Sequence, residues 1–92
     1  TNLHLCIGAA NRDPLQFEQP EKLIIDRCPN RHLAFAGGIH HCVGFSLAKM
    51  EARIAIGKFL KKFPKYKLIS KPIWSKRIRF RGLTHLNARL ES

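Results

Sequence analysis

The sequence predicts an α+β chain: an irregular N-terminal half, one long helix over about residues 43–63, and a C-terminal antiparallel β hairpin. Three observations carry this. Apolar residues recur at spacings of three and four between Val43 and Phe63. Proline, Asn and Asp interrupt most of what precedes that stretch. Beyond Pro64, apolar and cationic residues alternate with a period of two. The chain is 92 residues long and reads as a single domain, residues 1–92. A chain of that size buries only about 60–65% of the surface its unfolded form exposes, so the expected core is small.

Residues 3–10 are apolar and read as a strand. Asn11, Arg12, Asp13 and Pro14 then end regular structure and favour a turn. Residues 15–34 mix acids, Pro20 and Pro29 with short apolar pieces, the pattern of a meandering segment. Gly37, Gly38 and Gly44 make residues 35–44 Gly-rich, which points to unusual dihedrals or close backbone approach. The helix follows. Leu47, Met50 and Ile54, with Phe45, Ala48, Ala52, Ile56, Phe59, Leu60 and Phe63, supply a wide apolar stripe. Ser46, Lys49, Arg53, Lys58, Lys61 and Lys62 supply polar surface, and cations gather in the last turn, where the helix dipole favours them. Pro64 stops it. Tyr66, Lys67, Leu68 and Ile69 read as a short strand broken by Ser70, Lys71 and Pro72. Residues 74–80, with Ile78 and Phe80 between Arg77, Arg79 and Arg81, read as a half-exposed strand ended by Gly82. The last ten residues read as a strand or extended tail.

The net charge is +11, and the excess lies in the second half. Twelve Lys or Arg and the single acid Glu51 fall between Lys49 and Arg81, while charges elsewhere balance. Such a field attracts polyanions or an acidic protein; its plain alternative is a solvated basic face. No docking motif for nucleic acid accompanies it, so nucleic acid is not the expected partner. No apolar run approaches the roughly 18 residues of a membrane helix, so no membrane association is expected. No stretch has the pattern of a signal peptide. Three cysteines without framework spacing indicate a reducing, cytoplasmic setting. The chain begins at Thr1 rather than Met, and the start of the gene product is expected upstream.

Chemistry concentrates in Phe35-Ala36-Gly37-Gly38-Ile39-His40-His41-Cys42-Val43-Gly44, directly before the long helix. There, free backbone N–H groups and the helix dipole both favour the thiolate form of Cys42. That sulfur could serve as nucleophile, redox sensor or metal ligand. Nothing in the sequence fixes a third orienting group for a Cys–His nucleophile pair. His40, His41 and Cys42 are adjacent rather than at zinc-ligand spacing. Cys6 and Cys28 read as small buried hydrophobes.

Phe35, Gly38, His40, Cys42 and Gly44 also occupy the FxxGxHxCxG spacing of the haem-thiolate loop in the cytochrome P-450 family. The chain resembles the C-terminal part of a bacterial member of that mostly α fold. Ala10-Asn11-Arg12-Asp13-Pro14 with Phe17 and Pro20 resembles the stretch before the family's meander. Asp26-Arg27 and Pro29-Asn30-Arg31-His32-Leu33-Ala34-Phe35 resemble the run into the haem loop. Leu47-Ala48-Lys49-Met50-Glu51-Ala52-Arg53 resembles the start of the following helix. Phe63-Pro64, Trp74 and Arg81-Gly82-Leu83 with Leu86 resemble the C-terminal hairpin region. The likeness runs through essentially the whole chain in order.

The resemblance implies a haem b cofactor with Cys42 as the axial thiolate ligand of iron. It implies that Gly38 and Gly44 let backbone N–H groups approach the sulfur, and that Phe35 shields it from water. His40 would bind a haem propionate, His41 would face solvent, and His32 would be a loop residue. An acidic, ferredoxin-like redox donor would dock on the basic half. Two positions depart from the family pattern: Ala36 stands where Gly is usual, and Leu23 where Phe is common. The family's distal oxygen-activation helix, Glu-x-x-Arg element and substrate-recognition loops are not in this chain, which is therefore expected to be incomplete for catalysis alone. The alternative is a truncated, non-catalytic protein of the same ancestry that self-associates as a homodimer without haem.

Overall fold

The computed structural model describes residues 1–91; Ser92, the end of the expected tail, lies outside the described residues. Among these residues are two α-helices, α1 (Ile7–Ala10) and α2 (Phe45–Lys62). Four strands follow: β1 (Lys65–Leu68), β2 (Ile73–Trp74), β3 (Leu83–His85) and β4 (Ala88–Glu91). The chain divides into two units, Thr1–Ser46 and a second from Leu47 onward.

In the first unit, the strand expected over residues 3–10 is instead the single turn of α1. Ala10 N donates to Cys6 O at 3.0 Å and Asn11 N to Ile7 O at 2.9 Å. Ala9 and Ala10 have the highest helix propensity, which over this one turn offsets the β-branched Ile7 and the flexible Gly8. The meander is held by side chains rather than by a ladder. The Asp13 carboxylate accepts the Leu15 N–H at 2.9 Å, the signature of an Asx turn. Asp13 O accepts Gln16 N and Phe17 N at 3.0 and 2.9 Å. Phe17, 5% exposed, is the buried hydrophobic side chain among the described residues. The Arg27 guanidinium lies 5.9 Å from the Phe17 ring centre. Arg27 also donates to the carbonyls of Glu18, Gln19 and Lys22 at 2.5, 3.2 and 3.3 Å. A planar fork of donors thus satisfies carbonyls that have no helical or strand partner.

In the second unit, α2 lies inside the expected range, with Val43 and Gly44 left in the preceding loop. Its apolar side chains do not form one stripe. At 3.6 residues per turn, Leu47, Met50 and Ile54 share one side, while Ala48, Ala52, Ala55 and Phe59 share the opposite one. The larger side chains remain about half exposed. Apolar surface on two sides is the pattern of a helix that needs neighbours on both. At its end, Phe63 N donates to Phe59 O at 2.8 Å. The Phe59 ring packs against Phe63 and Tyr66 at 5.5 and 5.6 Å, tying the helix end to β1.

The C-terminal strands form two nested antiparallel pairs. β1 pairs with β4 in the register Lys65↔Glu91 to Leu68↔Ala88. Inside that pair in sequence, β2 meets β3, with Ile73 opposite His85, Trp74 opposite Leu83, and a register shift between them. The hairpin is therefore present, but the strand expected over residues 74–80 shrinks to Ile73–Trp74. Ser75 turns the chain back: its N–H reaches Gly82 O at 2.8 Å and its hydroxyl donates to Phe80 O at 3.3 Å. Alternation alone could not make a strand there, because no partner strand flanks it among the described residues. Ile78 and Phe80 are 89% and 79% exposed, and the Arg81 guanidinium lies 4.9 Å from the Trp74 ring centre instead.

Candidate functional site

The loop that precedes α2 is closed by its own backbone. Cys42 N donates to Phe35 O at 2.8 Å, and Cys42 O accepts Phe45 N at 3.2 Å at the start of the helix. Inside the closure, Ala36 N donates to Leu33 O at 3.0 Å, which makes a turn of residues 33–36. Gly38–His40 form one 3₁₀ turn, and His41 N donates to Gly38 O at 3.2 Å. Two residues in this run have left-handed backbone: Ala36 at φ 60° and Gly38 at φ 61°. Glycine tolerates that region freely; a side chain there costs about 1–2 kcal/mol. The loop thus meets its requirement at Gly38 and carries strain at Ala36.

The predicted site residues fall as follows. Cys42 is exposed on the closed loop. A Cβ placed on Gly44 would stand 4.0 Å from the Cys42 sulfur, so glycine leaves that side of the sulfur open. Phe35 is half-buried, its ring 6.2 Å from Phe45 edge-on and 6.2 Å from His32. His40 ends the 3₁₀ turn and is exposed. His41 is also exposed, with its ring edge-on to Phe45 at 4.6 Å. His32 Nδ1 accepts the Ala34 N–H at 3.3 Å, a loop role. The structure thus joins Phe35 to Cys42 through the backbone and sets Gly44 beside the sulfur. Gly38 and His40 share the intervening turn. Cys6 and Cys28, expected to be buried, are exposed, because the segments around them pack against little within their unit.

Among the described residues, no group of three or more His, Cys, Asp or Glu could hold a metal ion. The donor set at Cys42 is a single soft sulfur on an open side. That set suits a metal that arrives with its own in-plane ligands, as haem iron does, and not a tetrahedral ion needing several protein donors.

Two residues bear on this loop that the sequence did not single out by role. Asn11 Oδ1 accepts the Leu33 N–H at 2.7 Å, across 22 residues of sequence. Arg27 gathers the carbonyls of the meander that leads into the loop. Both lie inside segments that carry the family resemblance, but a side-chain-to-backbone bond of long range leaves no periodicity to read.

Such a loop, closed by backbone bonds around a single exposed cysteine, offers a metal one soft protein ligand. The Cytochrome P450 family model matches residues 1–77, and the chain belongs to the cytochrome P450 family. The family uses haem. The chain is 49% identical over 83 residues to the polyketide biosynthesis cytochrome P450 PksS of Bacillus subtilis (strain 168), covering 87% of this chain and 20% of that protein. It is 42% identical over 88 residues to cytochrome P450 107B1 of Saccharopolyspora erythraea, covering 92% and 22%. The solved structure of PksS superposes with a TM-score of 0.87 at 46% identity, over 94% of this chain and 23% of that one. P450BioI, solved in complex with an acyl carrier protein ligated to hexadec-9Z-enoic acid, superposes at 0.85 with 42% identity, over 92% and 22%. The chain spans about a fifth of the length of the curated relatives it matches. Among the described residues, no helix is long and apolar enough to cross a membrane.

Proposed function

We propose that residues 1–92 form the proximal, thiolate-bearing segment of a single haem-dependent monooxygenase domain, with Cys42 as the axial ligand of haem b iron. The observation that carries this reading is the closed loop: the Cys42 N–H is fixed on Phe35 O immediately before α2, and Gly44 leaves the sulfur accessible. When bound, the haem supplies the oxygen-activating chemistry, and a thiolate ligand favours O–O cleavage. The residues of this chain hold and shelter that group. Phe35 places a half-buried ring in the loop, the residue that on this reading would shield the sulfur from water once the haem is bound. Gly38 supplies the left-handed turn that returns the chain to Cys42. His40, exposed at the end of that turn, is available as a donor to a haem propionate.

The concentration of cations after Lys49 supports an acidic, ferredoxin-like protein as the electron donor, in a cytoplasmic setting. The exposed apolar residues of α2 favour one competing occupant, a second copy of the chain, if haem is not bound. The test is a haem titration of the polypeptide in its natural length, followed by reduction and carbon monoxide. A red-shifted Soret band that disappears in Cys42→Ser is the expected result. Absence of haem binding, with sedimentation as a dimer, would replace the reading with the self-associating one.

A further inference from the structure

We propose that Asn11 is a positioning residue for the Cys42 loop, its side-chain carbonyl fixing where the loop begins and so where the sulfur sits. The proposal rests on the haem-thiolate reading of Cys42 and adds a residue to it. Asn11 is half-buried at the end of α1, where its own N–H is held by Ile7 O at 2.9 Å. Its backbone is therefore placed before its side chain acts. Oδ1 then accepts the Leu33 N–H at 2.7 Å, a short bond for an amide pair. Because the partner is an N–H, only the oxygen end of the side chain can make this contact.

From Leu33 the bonds run on without a gap. Leu33 O accepts Ala36 N at 3.0 Å, and Phe35 O accepts Cys42 N at 2.8 Å. Asn11 thus anchors the first residue of a turn whose last residues carry the closure onto the cysteine. Ala36 makes the anchor matter more. Its left-handed backbone, φ 60°, is one that an alanine leaves when it is free to do so. Pinning Leu33 fixes one end of the turn and Cys42 N–H fixes the other, so Ala36 is held between them.

The experiment compares Asn11→Leu and Asn11→Asp in the haem-loaded polypeptide of natural length. Leu keeps the shape and removes the acceptor; Asp keeps the acceptor. Two readouts are taken: the rate of haemin loss to an acceptor protein, and the share of the ferrous carbon monoxide complex in the thiolate-bound band. Asn11→Leu is expected to lose haemin about fivefold faster, as suits the loss of one hydrogen bond, and to show a smaller thiolate-bound share. Asn11→Asp is expected to restore both. A wild-type share and loss rate in Asn11→Leu would overturn the proposal, as would equal damage in Asn11→Asp, which would show that the acceptor is not the cause. A wild-type protein with no thiolate band, or one unaffected by Cys42→Ser, overturns the haem reading itself and is thereby told apart from a failure at Asn11.

Discussion

Replacing Ala36 with glycine should stabilise the protein, the reverse of the usual effect of that substitution. Ala36 occupies φ 60° with its N–H committed to Leu33 O at 3.0 Å, so the backbone cannot rotate away without breaking the turn. The left-handed region costs a non-glycine residue about 1–2 kcal/mol. Glycine removes that cost but adds unfolded-state freedom worth about 0.4–1 kcal/mol. The net is a gain of about 0.5–1 kcal/mol. Gly38 offers the mirror image. Its φ is 61°, and no atom lies within 4 Å of where a Cβ would stand, so Gly38→Ala meets backbone strain and nothing else. It should lose about the same 0.5–1 kcal/mol. The assay is urea unfolding of the haem-loaded polypeptide of natural length, followed by the Soret band, with midpoints compared at unchanged slope. A loss of stability in Ala36→Gly would refute the reasoning, because it would mean that residue 36 is not left-handed in solution. A gain in Gly38→Ala would refute it at the second position.

Other substitutions test how the rest of the chain is held. Arg27→Ala removes three bonds to carbonyls and the stacking on Phe17. With the guanidinium half-exposed, the expected loss is about 2 kcal/mol in the same urea assay. Arg27→Lys should recover little of it, since a single ammonium cannot reach three carbonyls in a fixed fork; full recovery would show that charge alone matters. Ser75→Ala removes the hydroxyl that contacts Phe80 O and Gly82 N at 3.3 and 3.4 Å. It should cost about 0.5–1 kcal/mol and speed amide exchange at Gly82, and no change in exchange would show that the turn closes without it.

How much of this was legible in the sequence differs by kind of signal. α2 was readable because a helix writes its period into adjacent turns and Pro64 marks its end. The Cys42 loop was readable because it is a short run of fixed spacing next to that helix. Residues 3–10 misled because an apolar run of that length fits either a strand or a helical turn, and only the local bond from Ala10 N to Cys6 O decides it. Residues 74–80 misled for a different reason. Alternation shows that one set of side chains differs from the other, but a strand also needs a neighbour, and Ser75 sends the chain back before one is met. Ala36 departs from a glycine pattern in the sequence; that the departure is strained follows from its dihedral, which no spacing encodes. Asn11 and Arg27 act on backbone atoms far along the chain, so their roles appear only with coordinates.

The distribution of apolar surface leads to a last prediction. Phe17 is the buried hydrophobic among the described residues, while Leu47, Ile54 and Ile56 on α2 are 56%, 51% and 58% exposed. Burial at about 25 cal/mol per Å² must offset an ordering entropy near 1.5 kcal/mol per residue, and one buried aromatic with half-covered helix residues does not approach that. The chain nonetheless matches relatives about five times as long, and a helix apolar on two sides needs neighbours on both. The 92 residues alone should therefore unfold without a sigmoidal urea transition, whereas the natural-length polypeptide should unfold cooperatively. Circular dichroism against urea measures this directly. A cooperative transition of the isolated chain as a monomer, with a slope of about 1 kcal/mol/M, would show that α2 is covered from within these residues and would refute the argument. The same transition appearing only at concentrations where the chain sediments as a dimer would assign the cover to a second copy.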